Sequence, residues 1–268
     1  MSNSVISLGL GLGGGRSATS SGRASGGGGA FANEFSVSLD GTNDHVKATS
    51  DPNLNVNSMS CWFKPTSALG ASGADYLVGG FGKGSSAGFG GIRVQQGATR
   101  VLEYNDGVQY ISAGGVSSIN TNWHNVIIVH VSSGYTTTGG TGTTSGKGYK
   151  IFLDGVRVDS ELGSASHDYT LADTTSVFCL GQEGQRGGSN FGGLLDEVAI
   201  FSSSLSDSDV ATVYNSGVPG DLTDFSPTLW WRCGDNDSGT GTTITDQGSG
   251  STNGTLINGA AFSTTVPS

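Results

Sequence analysis

The sequence has few cysteines, few basic residues and no long hydrophobic run, and each shortage excludes a class of protein. Three cysteines (Cys61, Cys179 and Cys233) among 268 residues are too few and too scattered for a disulfide framework. Twelve Lys and Arg against 22 Asp and Glu leave a formal charge of −10. This balance excludes a general nucleic-acid binder, because neutralising phosphates needs clustered cations. No apolar run is long enough to span a membrane, so membrane insertion is not expected.

The start of the chain lacks both a basic n-region and an uninterrupted apolar stretch, so no secretion signal is expected. Gly and Ser dominate residues 1–33, which contain cations but no acid. Such a segment cannot bury enough apolar surface to fold alone. We therefore expect an extended N-terminal arm that gains order only in a groove of a neighbouring subunit. Five of its side chains are candidates for the assembly contacts: Leu8, Leu10, Leu12, Arg16 and Arg23.

Glycine is abundant, at 47 residues, and from residue 34 onward short runs of alternating apolar and polar residues are separated by Gly, Asn and Asp turns. The Asp154-Gly155 pair between two such runs is the strongest hairpin signal in the chain. Residues 132–148 form a Thr- and Gly-rich stretch that is too polar to pack, so an exposed loop is expected.

One helix is well signalled after residue 205. Ser206 and Asp209 have the spacing of a capping box, and Gly217 supplies a stop signal. A helix this short is stable only when it packs on a sheet. Many short strands and a single short helix predict an all-β fold, a two-sheet antiparallel jelly-roll sandwich over residues 34–268.

The run at 191–201, Phe-Gly-Gly-Leu-Leu-Asp-Glu-Val-Ala-Ile-Phe, reads as a buried strand that carries Asp196 and Glu197. Successive side chains of a strand point to opposite faces, so one of the two carboxylates is expected to face inward. A buried carboxylate has to be hydrogen-bonded, paired with a cation or bound to a metal.

Three stretches of the chain together resemble the laminin-G-like, concanavalin A-like lectin/glucanase superfamily. They are Val-Ser-Leu-Asp-Gly-Thr-Asn-Asp-His-Val at 37–46 leading to Ser-Cys-Trp-Phe-Lys-Pro at 60–65, Tyr-Lys-Ile-Phe-Leu-Asp-Gly-Val at 149–156, and the run at 191–201 continuing into the capped helix. The resemblance covers roughly residues 34–220, with the final β segment as an extension. It implies a curved jelly-roll sandwich and, in many members, a structural calcium ion.

Carried over to this sequence, the resemblance implies that Asp40 and Asp44, with Asp196 or Glu197, supply hard oxygen ligands to calcium. The alternative is that the Asp-Gly turn needs no metal, and that Asp196 or Glu197 pairs with an arginine or accepts backbone hydrogen bonds.

Trp230 and Trp231 are candidates for carbohydrate contact, because strand alternation exposes one of the two rings unless another subunit covers it. Members of the superfamily that cleave β-glucans carry a Glu-x-Asp-x-x-Glu strand, which this sequence lacks. Asp196 and Glu197 are adjacent, whereas retaining glycosidases need two carboxyl groups about 5 Å apart on one face. We therefore expect a protein without catalytic residues.

These features favour a structural protein of a virus particle, namely a bacteriophage capsid decoration or fibre-like surface protein. Its arm would anchor it to other virion proteins or to further copies of itself, and its sandwich would bind host or environmental glycans. The arm and domain together are similar to phage structural proteins. The alternative is a free bacterial lectin that holds sugar in its concave sheet or at loop tips. An endo-β-glucanase is a third hypothesis, which the missing acid triad disfavours.

Overall fold

The structure is a computed structural model that describes residues 31–66, 74–82, 88–95, 101–114, 116 and 118–268. The compact unit within this part of the chain is Ala32–Ser268. The five predicted arm contacts, Leu8, Leu10, Leu12, Arg16 and Arg23, lie outside the described residues.

Seventeen strands and one α-helix follow one another along the described residues. The strands are β1 (Ser36–Asp40), β2 (His45–Ala48), β3 (Ser58–Pro65), β4 (Ala74–Gly82), β5 (Gly90–Gln95), β6 (Val101–Asn105), β7 (Tyr110–Ala113), β8 (His124–Val131), β9 (Gly148–Leu153), β10 (Val156–Arg157), β11 (Glu161–Leu162), β12 (Asp173–Leu180), β13 (Gly192–Phe201), β14 (Leu229–Trp231), β15 (Thr243–Ile244), β16 (Gly254–Ile257) and β17 (Ala261–Ser263). The helix α1 is Asp207–Tyr214. No helix of the described residues combines the length and the apolar character needed to cross a membrane.

The strands form two antiparallel sheets that pack as a sandwich, which confirms the predicted fold class. The eight-stranded sheet has the order β10-β9-β8-β3-β13-β1-β17, and β14 adds to β13. The nine-stranded sheet has the order β11-β7-β6-β5-β4-β12-β2-β16-β15. The last strands of the chain thus enter both sheets, since β16 pairs with β2 and β17 pairs with β1.

The core lies between the sheets because each strand turns alternate apolar side chains inward. In β5, Ile92 and Val94 are fully buried in the core, whereas Arg93 between them points to the opposite face. Aromatic rings join the two layers: the rings of Phe178 in β12 and Trp231 in β14 lie 5.4 Å apart.

Two local predictions match the structure closely. Asp154 and Gly155 have φ values of 51° and 76°, the left-handed conformation that a two-residue hairpin between β9 and β10 requires. Ser206 and Asp209 form the predicted capping box of α1. The helix ends at Tyr214, earlier than predicted, because Asn215 takes the left-handed cap position ahead of Gly217. Val210 and Val213 bury its inner face.

The expected exposure of residues 132–148 is confirmed for most of the segment, but the expectation that it does not pack is wrong. Tyr135 is buried, and its hydroxyl donates a hydrogen bond to Asp159 Oδ2 at 2.9 Å. Asp159 is itself fully buried and pairs with Arg157 Nε at 2.9 Å. One aromatic residue with a polar partner therefore holds this polar segment against the sandwich.

Candidate functional site

A β-bulge in β13 decides where the two carboxylates of this strand point. Leu195, Val198 and Ile200 all lie in the core, although the first two are three positions apart, an odd spacing that strict alternation does not allow. The pairing with β3 shifts between Asp196 and Ala199, and Glu197 has a φ of 45°. This extra residue breaks the alternation, so both acids lie on the outer face of the eight-stranded sheet. The expectation that one of them faces inward is wrong.

Both carboxylates are nevertheless buried, because a polar network covers them. Glu197 Oε2 accepts a hydrogen bond from Trp230 Nε1 at 2.6 Å, and Glu197 Oε1 accepts one from Arg232 Nε at 3.0 Å. Asp196 Oδ2 accepts a hydrogen bond from Asn33 Nδ2 at 3.1 Å. Burial raises the pKa of Glu197 to about 7 in spite of Arg232, and burial beside Glu197 raises the pKa of Asp196 well above its usual range.

The same network holds the chain where it enters the sandwich, at residues 32–35. Asp235 Oδ1 accepts hydrogen bonds from the backbone N–H groups of Glu34 and Phe35 at 2.8 and 2.9 Å. Arg232 Nη2 donates to Asp235 Oδ2 at 2.8 Å and to the carbonyl oxygen of Ala32. We call this set of side chains the entry clamp; its members are Asn33, Asp196, Glu197, Trp230, Arg232 and Asp235.

The structure does not assemble the four acids that the resemblance assigned to calcium. Asp40 pairs with Gly192, which lies four residues before Asp196 in β13, or about 13 Å along the strand. Both oxygens of Asp44 accept backbone N–H groups, from Asp40 at 3.1 Å and from Gly259 at 2.7 Å. Among the described residues, no group of three or more His, Cys, Asp or Glu side chains could hold a metal ion. These acids do not fit one calcium site; calcium binding by the protein stays a prediction.

Trp230 and Trp231 are not placed to stack on a sugar in this structure. Their exposed fractions are 4% and 0%, so the expectation of one exposed ring is wrong. Trp231 faces the core, and Trp230 lies on the outer face, where its indole N–H bonds to Glu197. The guanidinium of Arg232 lies 5.5 Å from the Trp230 ring. Two other members of the entry clamp, Arg232 and Glu197, therefore contact the Trp230 side chain, which strand alternation turns outward.

A polar pocket of about 270 Å³ lies on the outer face of the nine-stranded sheet. The described residues that line it come from β4, from β5 and the residue before it, from the C-terminal end of β6 and the turn after it, and from the loop 181–190: Tyr76, Phe89, Arg93, Asn105, Gly107, Glu183 and Arg186. We call it the sheet pocket. Its size is close to the lower end of small-molecule sites, about 300 Å³, which suits a small ligand better than a long one.

Close packing of the loop 181–190 against β4 builds one wall of the sheet pocket. A side chain at Gly79 would place its Cβ 2.2 Å from the carbonyl oxygen of Gln182 and 2.9 Å from the amide nitrogen of Gly184. Only glycine lets the two backbones approach this closely. The loop thereby brings Glu183 and Arg186 beside Tyr76, whose N–H bonds to Ser189 O at 3.0 Å.

Two arginines of the sheet pocket are held in different ways. Arg93 Nε donates to Glu103 Oε2 at 2.7 Å, and its guanidinium lies 5.8 Å from the Tyr76 ring. Burial opposes the charged form of Arg93, but the charges of Glu103 and Tyr76 and the hydrogen bonds to both together raise its pKa. The guanidinium of Arg186 lies 4.8 Å from the Phe89 ring, while 72% of the side chain is exposed. Arg186 is thus oriented by a ring and open to a ligand.

Glu183 is the acidic group that lines the sheet pocket. It is 8% exposed, and its carboxylate oxygens do not belong to the buried side-chain atoms without a hydrogen-bond partner. Its charged neighbour, Arg186 Nη1, lies 3.8 Å away, beyond hydrogen-bond length. The pocket therefore offers an acceptor group beside the guanidinium donors of Arg186.

The sequence predictions missed every residue of this pocket. The alternation Ile92-Arg93-Val94 in β5 and Leu102-Glu103-Tyr104 in β6 was a usable signal, because it places Arg93 and Glu103 on the face away from the core. No comparable signal exists for Glu183 and Arg186, since a loop has no periodicity to indicate its direction.

Comparisons with known proteins agree with this architecture. The Laminin_G_3 family model, described as Concanavalin A-like lectin/glucanases superfamily, matches residues 40–211. No curated protein sequence matches the chain.

Among solved structures, a candidate carbohydrate-binding protein from Bacteroides ovatus matches with a TM-score of 0.55 and 17% identity. The match covers 87% of this chain and 61% of that one. A heptameric SAP-like pentraxin from Limulus polyphemus matches with a TM-score of 0.46 and 15% identity, over 68% of this chain and 82% of that one. The CBM40 of a Ruminococcus gnavus IT-sialidase matches with a TM-score of 0.40 and 14% identity, over 69% of this chain and 100% of that one.

Proposed function

Because the chain belongs to the concanavalin A-like lectin/glucanases superfamily, we propose that it is a non-enzymatic glycan-binding protein and that the sheet pocket is its binding site. Glu183 carries the proposal. Its carboxylate borders the pocket beside the guanidinium of Arg186, and because an ionised carboxylate only accepts hydrogen bonds, the hydroxyl groups of a sugar can donate to it. The Bacteroides ovatus structure, described as a candidate carbohydrate-binding protein, is in line with this function.

The neighbouring side chains complement that acceptor. Arg186 provides guanidinium donors at the mouth of the pocket, and the Asn105 side chain lines it while its Oδ1 accepts Gly107 N–H at 2.6 Å. The ring of Phe89 supports Arg186 and adds apolar surface for the C–H groups of a sugar. Acceptors, donors and apolar surface in one recess are the elements that fix a polyhydroxylated ligand.

A glycan array followed by calorimetry tests the site. We expect the intact protein to bind at least one glycan class, and we expect Glu183→Gln and Arg186→Ala each to weaken binding about tenfold or more, because each removes a charged hydrogen-bonding group. Lys147→Ala is the control, since Lys147 is a partly exposed cation paired with Asp168 outside the pocket. Absence of glycan binding, or binding that both pocket variants leave unchanged, would contradict the proposal.

The proposed lack of enzymatic activity has its own test. The chain has no Glu-x-Asp-x-x-Glu strand, and the entry clamp already uses both carboxylates of β13 as hydrogen-bond acceptors. We expect no release of reducing sugar from β-glucans or from the glycans that bind on the array. Turnover that Glu197→Gln abolishes would overturn this part of the proposal.

A virus particle, as a bacteriophage surface protein, is the proposed location. The Gly- and Ser-rich composition of residues 1–33 supports this location. The entry clamp supports it too, because its hydrogen bonds hold residues 32–35 in place. A free bacterial lectin is the second candidate, and the sheet pocket would serve it equally well. Mass spectrometry of purified particles separates the two, because only the virion protein is present in them.

Anchoring by the arm is tested by deleting residues 1–31 in the virus that encodes the protein. We expect particles that lack the truncated protein, while the truncated protein itself stays folded. Incorporation at full occupancy would contradict anchoring by this segment.

A further inference from the structure

Among the described residues, each arginine of the sheet pocket is paired with a carboxylate, although the protein as a whole carries −10. Arg93 is matched by Glu103 at 2.7 Å, and Arg186 is matched more loosely by Glu183 at 3.8 Å. A site for an acidic ligand would need an excess of cations to offset the loss of hydration of both charges. This pocket has no such excess among the described residues.

The position of the carboxylate adds a second constraint on the ligand. Glu183 is 8% exposed and borders the pocket, so a bound group that approaches Arg186 also comes within reach of Glu183. An ionised carboxylate is acceptor-only, and its two oxygens can receive the O–H groups of two adjacent hydroxyls. A carboxylate on the ligand would meet the like charge of Glu183 at short range.

We infer that the sheet pocket recognises a neutral sugar residue through a pair of adjacent hydroxyls held by Glu183 and Arg186, and that it discriminates against acidic sugars. This inference rests on the proposed function of the pocket. Glu183 acts as the discriminating residue: it accepts the hydroxyl hydrogens of the neutral sugar, and its charge repels a uronic or sialic acid.

Matched pairs of probes test the inference. The methyl glycosides of glucose, galactose and mannose are compared by calorimetry with those of the corresponding uronic acids, which differ only at C6. We expect a neutral member to bind at least tenfold more tightly than its acidic counterpart. Because the recognition is not an ion-pair attraction, we also expect its affinity to change little between low and high salt.

Two substitutions in the pocket are expected to move selectivity in opposite directions. Glu183→Gln keeps the shape but removes the charge, so neutral binding should fall about tenfold while the acidic probe gains affinity. Arg186→Gln removes the cation from an exposed position, so the acidic probe should lose further affinity relative to the neutral one. Thermal unfolding of both variants verifies that they are folded.

The outcomes separate this inference from the function on which it rests. Tighter binding of uronic acids, or a Glu183→Gln variant with unchanged selectivity, overturns the inference and leaves glycan binding in place. Binding of neither class to the probes or to the array overturns the proposed function and the inference together.

Discussion

Glu197 shows how one residue in an unusual conformation changes the role of its neighbours. Its left-handed φ of 45° inserts a bulge in β13, and this bulge places two carboxylates on one face of the sheet, where Glu197 accepts a hydrogen bond from Arg232. The region resembles a binding site in its acid content. Its hydrogen bonds, however, are directed at Asn33, Trp230 and the chain entry, so we interpret it as a structural clamp.

Removal of the cation from this clamp should be strongly destabilising. Arg232→Met leaves Glu197 and Asp235 buried without their guanidinium partner, and we expect a loss of about 3–5 kcal/mol in the free energy of unfolding. Lys150→Met is the matched control, because its partner Asp207 is 67% exposed and such pairs contribute about 1 kcal/mol or less. Urea denaturation measures both. Equal effects of the two substitutions would contradict a structural clamp.

The raised pKa of Glu197 makes the stability of the clamp depend on pH. The folded protein holds the proton of Glu197 more tightly than the unfolded chain, with a pKa raised from 4.5 to about 7. This contribution is complete below pH 4.5 and is lost as the pH rises through about 7. We expect the free energy of unfolding to fall across this window, and to fall less in Glu197→Gln. The groups that face Glu197 are Asp196, Asp235 and Arg232, and the variant keeps all three.

An identical pH slope in the two proteins would show that Glu197 does not titrate in this range.

At the scale of elements, the loop 181–190 connects the fold to the proposed site. It joins β12 to β13 but packs on the outer face of β4, where Gly79 and Gly184 allow backbone contact. It carries Glu183 and Arg186 to a sheet surface that β4 and β5 supply. The pocket therefore depends on how one loop is seated on a strand about a hundred residues earlier in the chain.

Gly79→Ala should disturb the loop and the pocket together. The added Cβ would lie 2.2 Å from Gln182 O, so the loop must shift, and we expect a loss of about 1–3 kcal/mol in stability and at least tenfold weaker glycan binding. Gly188→Ala is the control within the same loop, because its Cβ would meet nothing within 4 Å. Unfolding curves and calorimetry on both variants make the comparison. Unaltered binding in Gly79→Ala would argue against a pocket wall formed by this loop.

At the scale of the whole molecule, the sandwich extends beyond the region that the family model matches. The match ends at residue 211, yet β14, β16 and β17 come later and complete both sheets. At the other end, the first strand is preceded by the clamped residues 32–35. Both ends of the described unit are therefore tied into the sheets they border.

Two truncations should separate the arm from the domain. Deletion of residues 1–31 leaves the compact unit Ala32–Ser268 intact, and we expect its urea midpoint to match that of the full chain. Deletion of residues 1–35 removes the partners of Asp196 and Asp235 and the Phe35 ring that packs at Gly234 and Gly239. We expect that loss to be about 3 kcal/mol or more. Equal midpoints for the two truncations would contradict a stabilising role of residues 32–35.

The sequence by itself determined the parts of this protein that short-range physics controls. The apolar alternation indicated the two-sheet sandwich, and the Asp154-Gly155 pair indicated the hairpin. The Ser206–Asp209 spacing indicated the start of α1. Each of these signals lies within a few residues of the structure that it produces.

Only the tertiary structure decided the direction of the acids and the place of the pocket. A single left-handed residue at Glu197 reverses the alternation on which the sequence argument relied, and Arg232 covers the Trp230 ring that was expected to be exposed. The sheet pocket combines Arg93 of β5 with Glu183 of a distant loop. Sequence periodicity describes one strand at a time, whereas such a site depends on packing between segments that are far apart in the chain.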